Sequence, residues 1–193
     1  SGTSAVSEPV SIESACGCAV CASPQAVHRV ASGVERVEAA AVFGRGSDVC
    51  VETVAAFERA EELLFEAGME FCDVVRTWIH LRDIDRDYDA LNRGRRLFFD
   101  SRGIDPPPAS TGIGGGPAST EHDPCLGFEA ILGDGAVERR VMHAATLNEA
   151  PDYGADFVRG LRVADGNAVT LHVSGTASVD ETGATAHVGD FDA

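Results

Sequence analysis

Lysine is missing from this chain: all 15 basic residues are arginine, set against 31 acidic residues, for a formal net charge of -16. The absence excludes Schiff-base chemistry, a lysine-anchored pyridoxal phosphate and a lysine-bearing phosphate loop. Any anionic substrate must be held by arginine or by backbone N–H groups. The acidic balance repels phosphate backbones, so nucleic acid is not an expected partner. No apolar run approaches membrane-spanning length, so no membrane partner is expected either. The opening SGTSAVSEPVSIESACGCAV has no basic stretch followed by a sustained apolar one, and the expected location is cytoplasmic. The six histidines include no H-x3-H pair, and no G-x-S-x-G elbow is present.

Cysteine is present but unpatterned. Cys16, Cys18 and Cys21 form a C-x-C-x2-C run that matches no paired C-x2-C knuckle, although Cys50, Cys72, Cys125 or His28 could supply a fourth ligand in space. In a cytosolic chain these residues read as small buried thiols rather than a disulfide framework. No metal and no cofactor are expected.

Hydrophobic residues make up 44% of the 193, an ordinary content for a globular chain. Residues 26–42 (AVHRVASGVERVEAAAV) have the β-branched content of one or two strands, punctuated by Ser32-Gly33. Asp48 then precedes an amphipathic helix in which Val54, Phe57, Ala60 and Leu64 recur at helical spacing and Gly68 supplies the stop. FCDVVRTWIHL (Phe71–Leu81) reads as a strand, with Val75, Thr77, Ile79 and Leu81 on one face and Val74, Arg76, Trp78 and His80 on the other. A second helix is expected from about Asp87, with Tyr88, Leu91, Arg95 and Phe98 along one stripe and Gly103 closing it. The Pro/Gly-rich stretch from Asp105 to Cys125 leaves room for a short strand at its start, and Cys125–Leu132 reads as another. Gly133 to Asp156 reads as irregular and polar. FVRGLRVADGNAVTLHVSGTASV reads as two strands with a turn at Ala164–Asn167.

This order predicts an α+β fold, a mixed sheet with two helices packed on one face. The end of the chain repeats its beginning: Ser174-Gly175, Val179 and Asp190 stand to one another as Ser32-Gly33, Val37 and Asp48 do. The expected organisation is an N-terminal segment (1–25), one complete domain (26–134), a linker (135–156) and the opening strands of a second, incomplete unit (157–193).

The segment ETVAAFERAEELLFEAGMEFCDVVRTWIHLRDIDRDYDALNRGRRLFF resembles the helix, strand and second helix of the YjgF/RidA superfamily, over about Ser32 to Leu132. PASTGIGG (Pro108–Gly115), RTW (Arg76–Trp78), NRGR (Asn92–Arg95) and SGTAS (Ser174–Ser178) are similar to the chorismatases within it, two-domain proteins built from RidA-like units. The resemblance implies a RidA/chorismate-mutase-like layer and a homotrimer or pseudo-trimer. It also implies a small-molecule enzyme, a hydrolase or lyase, acting on a carboxylated metabolite such as chorismate with release of pyruvate. Two departures count against imine deamination: Ser110 stands where RidA deaminases carry the arginine that clamps the substrate carboxylate, and Gly127 replaces the first Glu of their Glu-x-Glu. Asp180-Glu181-Thr182 likewise replaces a chorismatase GHE-type extension. A non-catalytic metabolite-binding or subunit-interaction module is the alternative, and a diverged enamine/imine deaminase a third.

Chorismate carries two carboxylates, and bidentate arginine suits each. Arg76, Arg95 and Arg159 lie in the matching motifs and are the candidate anchors. Ser110, Thr111 and Gly112, with Ser174 and Thr176 in the second unit, are candidate hydroxyl and backbone donors. Glu129 is the candidate general acid or base, because burial raises a carboxyl pKa toward working pH. Each of these has a plainer role open to it, an ion pair for the charged groups and an ordinary loop for the Ser-Thr-Gly run.

Overall fold

The computed structural model describes residues 5–12, 25–116, 121–133, 135, 137–143, 148–150, 155–166, 168–175 and 189. The three-cysteine cluster, Thr176, and the Val179 and Asp190 of the repeat lie outside the described residues.

The first pair of long strands, β2 (Ala26–Ala31) and β3 (Val34–Phe43), is an antiparallel hairpin. Its two-residue turn places Ser32 at φ 54 and Gly33 at φ 77, the pair of positive angles that matches strand twist in a tight hairpin. Ahead of it, β1 (Val6–Val10) pairs antiparallel with β2, so part of the expected N-terminal segment is an edge strand. Its five residues include Pro9, which an edge tolerates and a central strand does not.

Helix α1 (Val49–Glu66) starts where Asp48 caps it, the carboxylate accepting from the Val51 N–H at 3.1 Å. Gly68, at φ 75, supplies the expected left-handed stop. The buried stripe runs through Thr53, Ala56, Phe57, Ala60, Leu63 and Leu64. A short 3-10 turn at Phe71–Asp73 leads into β4 (Val74–Leu81). Helix α2 (Ile84–Arg102) begins three residues before the expected Asp87, because Asp83 takes the cap, and ends at left-handed Gly103 as expected. β5 (Ala109–Gly114), β6 (Cys125–Leu132), β7 (Glu138–Met142), β8 (Gly160–Ala164) and β9 (Val169–Val173) follow. Strand β7 lies inside the segment expected to be irregular. Its ERRVM sequence carries too few apolar residues to announce a strand, and pairing with β8 makes it one.

One sheet has the order β1-β2-β3-β6-β4-β5, antiparallel throughout except for the parallel β4–β5 pair that α2 crosses over. A second sheet has the order β7-β8-β9. Both helices cover one face of the larger sheet. Phe57, Phe71, Phe98 and Phe99 meet there, with neighbouring ring centroids 4.9 to 6.1 Å apart, beside Leu63, Leu64, Ile79 and Leu126. The helices can approach because α2 has Gly94 at the crossing. A Cβ there would lie 2.5 Å from the Cys50 carbonyl oxygen and 2.8 Å from Thr53 Cβ.

The opposite, far face is half covered. Val34, Val75, Ala109 and Ile131 pack against Leu161 and Val163 of β8 and Val141 of β7. Val75 was expected to share a face with Thr77. A register irregularity between Val74 and Arg76 reverses it, so Val74 joins the helix-side core and Val75 the far-face one.

Candidate functional site

Side chains alternate along β5, and the alternation sorts the candidate residues into two groups. Ser110 and Gly112 face the helices, where a Cβ on Gly112 would meet Ile84 and Tyr88 of α2. Ala109 and Thr111 face the other way.

On the helix side, Ser110 is buried and fully engaged. Its hydroxyl accepts from Thr77 Oγ1 (2.8 Å) and from Arg95 Nη1 (3.3 Å). Its backbone N–H donates to Ser174 Oγ at 2.9 Å, and its carbonyl accepts from the Gly175 N–H at 3.2 Å. Ser174 in turn donates to the Val158 carbonyl. The outer edge of β5 is thereby stitched to the segment around Phe157–Arg159 and to the end of β9. The seam is tight at Gly175, where a Cβ would lie 2.5 Å from Thr111 Cγ2.

Two arginines converge on the seam. Arg95, only 3% exposed, lies over the Phe157 ring at 5.6 Å, and Arg159 over the same ring at 5.8 Å. Arg159 donates through Nε and Nη2 to the Asn148 carbonyl at 3.0 and 2.8 Å. Arg95 donates to Asn92 Oδ1 at 2.6 Å as well as to Ser110, while its Nε is buried without a hydrogen-bond partner among the described residues. Burial pushes the Arg95 pKa down, so the charge sits in a poorly solvated place. A second guanidinium nearby and an unused N–H are features a bound carboxylate would exploit.

On the far face, Arg76 Nη2 donates to Thr111 Oγ1, which also accepts from the Gly175 N–H at 2.9 Å. Arg76 lies over the Trp78 ring at 5.1 Å. Glu129, directly across β6 from Arg76 in the register, pairs instead with Arg36 at 3.2 Å. Burial raises the Glu129 pKa and neighbouring Glu38 adds to that, while Arg36 opposes it. Glu129 and Trp78 also wall a cleft of about 550 Å³ on this face, together with Val27, Glu38, His80 and Gly127.

The candidates thus come together as Arg95, Ser110, Ser174 and Arg159 at the seam, with Arg76, Thr111 and Glu129 on the far face and Gly112 beside α2. His172 was not expected. It is buried on β9, its Nδ1 3.9 Å from Glu129 Oε2. The only signal in the sequence was a polar residue alternating with Val169, Leu171 and Val173, and that signal does not say which face is covered.

Among the described residues no group of His, Cys, Asp and Glu could hold a metal, and no helix is long and apolar enough to cross a membrane.

No family model matches the chain, and no curated protein matches it by sequence. Solved structures do match. A YjgF/YER057c/UK114 family member from Mycobacterium tuberculosis is 23% identical, with a TM-score of 0.51, over 66% of this chain and 100% of its own. A chorismatase is 21% identical, with a TM-score of 0.67, over 87% of this chain and 52% of its own, so the chain spans about half the length of that enzyme. Escherichia coli TdcF with bound serine is 15% identical, with a TM-score of 0.50, over 65% of this chain and 93% of its own. The chain therefore has the YjgF/chorismatase fold, as the sequence motifs implied.

Proposed function

We propose that this chain, with its YjgF/chorismatase fold, is part of a chorismatase-type enzyme whose seam at β5 anchors a small carboxylated metabolite such as chorismate, from which pyruvate is released. The observation that carries the reading is the convergence of Arg95 and Arg159 on Phe157. Two guanidiniums beside one apolar ring suit a small ring compound with two carboxylates, and a buried charge grips an anion far more strongly than a solvated one. The hairpin of β8 and β9 is, on the same reading, the start of a second RidA-like unit. The seam then lies between units, where this fold's edge strand β5 meets its neighbour.

The reaction consumes one water. A proton adds to the terminal methylene carbon of the enol ether, water adds to the resulting oxocarbenium carbon, and the hemiketal collapses to pyruvate and the ring alcohol. Arg95 and Arg159 hold the carboxylates, and their burial keeps bulk water from the anchored end. Glu129 is on the far face and does not serve the seam directly, which favours the second reading, a metabolite-binding module with no chemistry of its own.

The test is pyruvate release from chorismate by the purified chain, with chorismate binding followed in parallel by calorimetry. Release that Arg95→Gln abolishes supports the enzyme. Binding that Arg95→Gln weakens, with no release, supports the module. Absence of binding overturns both.

A further inference from the structure

Strand β9 and the residues just past it touch the larger sheet in two places. His172 stands directly opposite Leu161 of β8 in the register, and opposed residues of an antiparallel pair share a face. Leu161 packs with Val34, Val75, Ala109, Ile131 and Val163 between the sheets, so the imidazole, 8% exposed, sits in that apolar layer. Two residues further on, the chain reaches the β5 seam. There Ser174 Oγ accepts from the Ser110 N–H at 2.9 Å, and the Gly175 N–H donates to the Ser110 carbonyl at 3.2 Å.

This layer suits a neutral ring and opposes a charged one. Nε2 of His172 has no hydrogen-bond partner among the described residues, and Nδ1 is 3.9 Å from Glu129 Oε2, too far for a hydrogen bond. The acids around the ring are already held. Arg36 of β3 pairs with Glu129 of β6 at 3.2 Å and also with Asp165 of the β8–β9 turn, and Arg29 of β2 pairs with Glu38 of β3 at 2.5 Å. Burial opposes a positive charge on the ring most, and Arg76 of β4 and Arg36 add their repulsion. Burial and Glu38 push the Glu129 carboxyl up, so its negative charge fades as pH falls.

We propose that His172 is a pH-sensitive clasp: its protonation releases the β7–β9 sheet from the far face and, through Ser174 and Gly175, loosens the β5 seam. In the released form the imidazolium is hydrated and no longer faces two guanidiniums across an apolar layer. The device regulates the seam, and only its consequence for a ligand rests on the reading of the seam as a carboxylate site. The released ring takes its proton near the ordinary value of 6.5, and the clasped ring takes it only at lower pH. Release is therefore favoured as pH falls below 6.5, by up to about tenfold per pH unit, until the clasped ring titrates as well.

The test is residue-resolved amide hydrogen exchange of the intact chain at pH 7.5, 6.5 and 5.5, with rates corrected for the intrinsic effect of pH on exchange. Three backbone N–H groups donate across the seam and report its opening: Ser110 to Ser174 Oγ, Val158 to the Pro108 carbonyl, and Gly175 to the Ser110 carbonyl. Their protection should fall by up to about tenfold between pH 7.5 and 5.5, while the amides of Leu64 in α1 and Phe128 in β6 keep theirs. His172→Asn, which does not titrate, should hold the three seam amides at the same protection at both pH values. Unchanged protection in the unaltered chain overturns the clasp, and that measurement needs no variant to fold. A fall shared equally by Leu64 and Phe128, or one that persists in folded His172→Asn, also overturns it. No ligand enters the experiment, so its outcome is separate from that of the chorismate assay.

Discussion

Arg76 and Arg95 grip successive residues of one strand from opposite faces of the sheet: Arg95 donates to the Ser110 hydroxyl, and Arg76 to the Thr111 hydroxyl. The two arginines look equivalent as carboxylate anchors in the sequence, yet a sheet separates them. Each therefore has different neighbours: Phe157 and Asn92 for Arg95, Trp78 for Arg76.

Ser110→Ala leaves Thr77 Oγ1 and Arg95 Nη1 facing a methyl group in a buried place. Loss of a partner from a buried donor costs about 1–3 kcal/mol, more where one donor is charged. Urea denaturation should show a lower midpoint with an unchanged slope.

At the crossing of the helices, Gly94→Val should be more damaging than any surface change. The side chain has no room beside the Cys50 carbonyl and Thr53, and overpacking of this kind costs about 1–3 kcal/mol or more. Thermal unfolding should fall by several degrees, and an exposed control such as Glu62→Ala should leave it nearly unchanged.

Gly175→Ala pushes a methyl group into Thr111 Cγ2 and should loosen the seam. Thr111→Ser removes that methyl while keeping the hydroxyl that Arg76 and the Gly175 N–H use. The double variant should recover part of the stability lost by Gly175→Ala. A double-mutant cycle with a coupling near zero would show that the contact is not made.

Burial, with help from Arg76 and Arg36, lowers the His172 pKa below 6.5 in the folded chain. The unfolded chain therefore takes up the proton first as pH falls. The stability from neutral His172 is fully present above pH 6.5 and is lost as pH drops from there through the folded-state value. Denaturant midpoints at pH 7.5 and 5.5 should differ more for the natural chain than for His172→Asn. The opposite ordering would place the imidazole in solvent.

A raised carboxyl has the opposite sign. Glu129 is pushed up by burial, so its ionised form is a cost at neutral pH that shrinks as pH falls toward 4.5. The comparison of His172→Asn with the natural chain removes this shared background.

The sequence by itself determined the local elements. Asp48, Gly68 and Gly103 mark helix ends through interactions within a few residues, and the Ser32-Gly33 turn needs only its own backbone angles, so these are legible without the fold. The order of those elements carried the α+β layer, with both helices on one face. The β8–β9 hairpin and its turn were equally plain, because alternation and a Gly-bearing turn are local signals. Strand β7 was not, since its polar sequence becomes a strand only when β8 lies beside it. A register irregularity reversed Val75, an event set by the neighbouring strand and not by the residue. The candidate site was legible as a set of residue types but not as a place. Which arginine meets which hydroxyl depends on strand alternation across residues far apart in the chain. The role of His172 depends on β9 lying over the far face beside Arg76 and Glu129. Short-range preferences select elements, whereas the burial of charge that makes a binding site arises only where distant strands close over it.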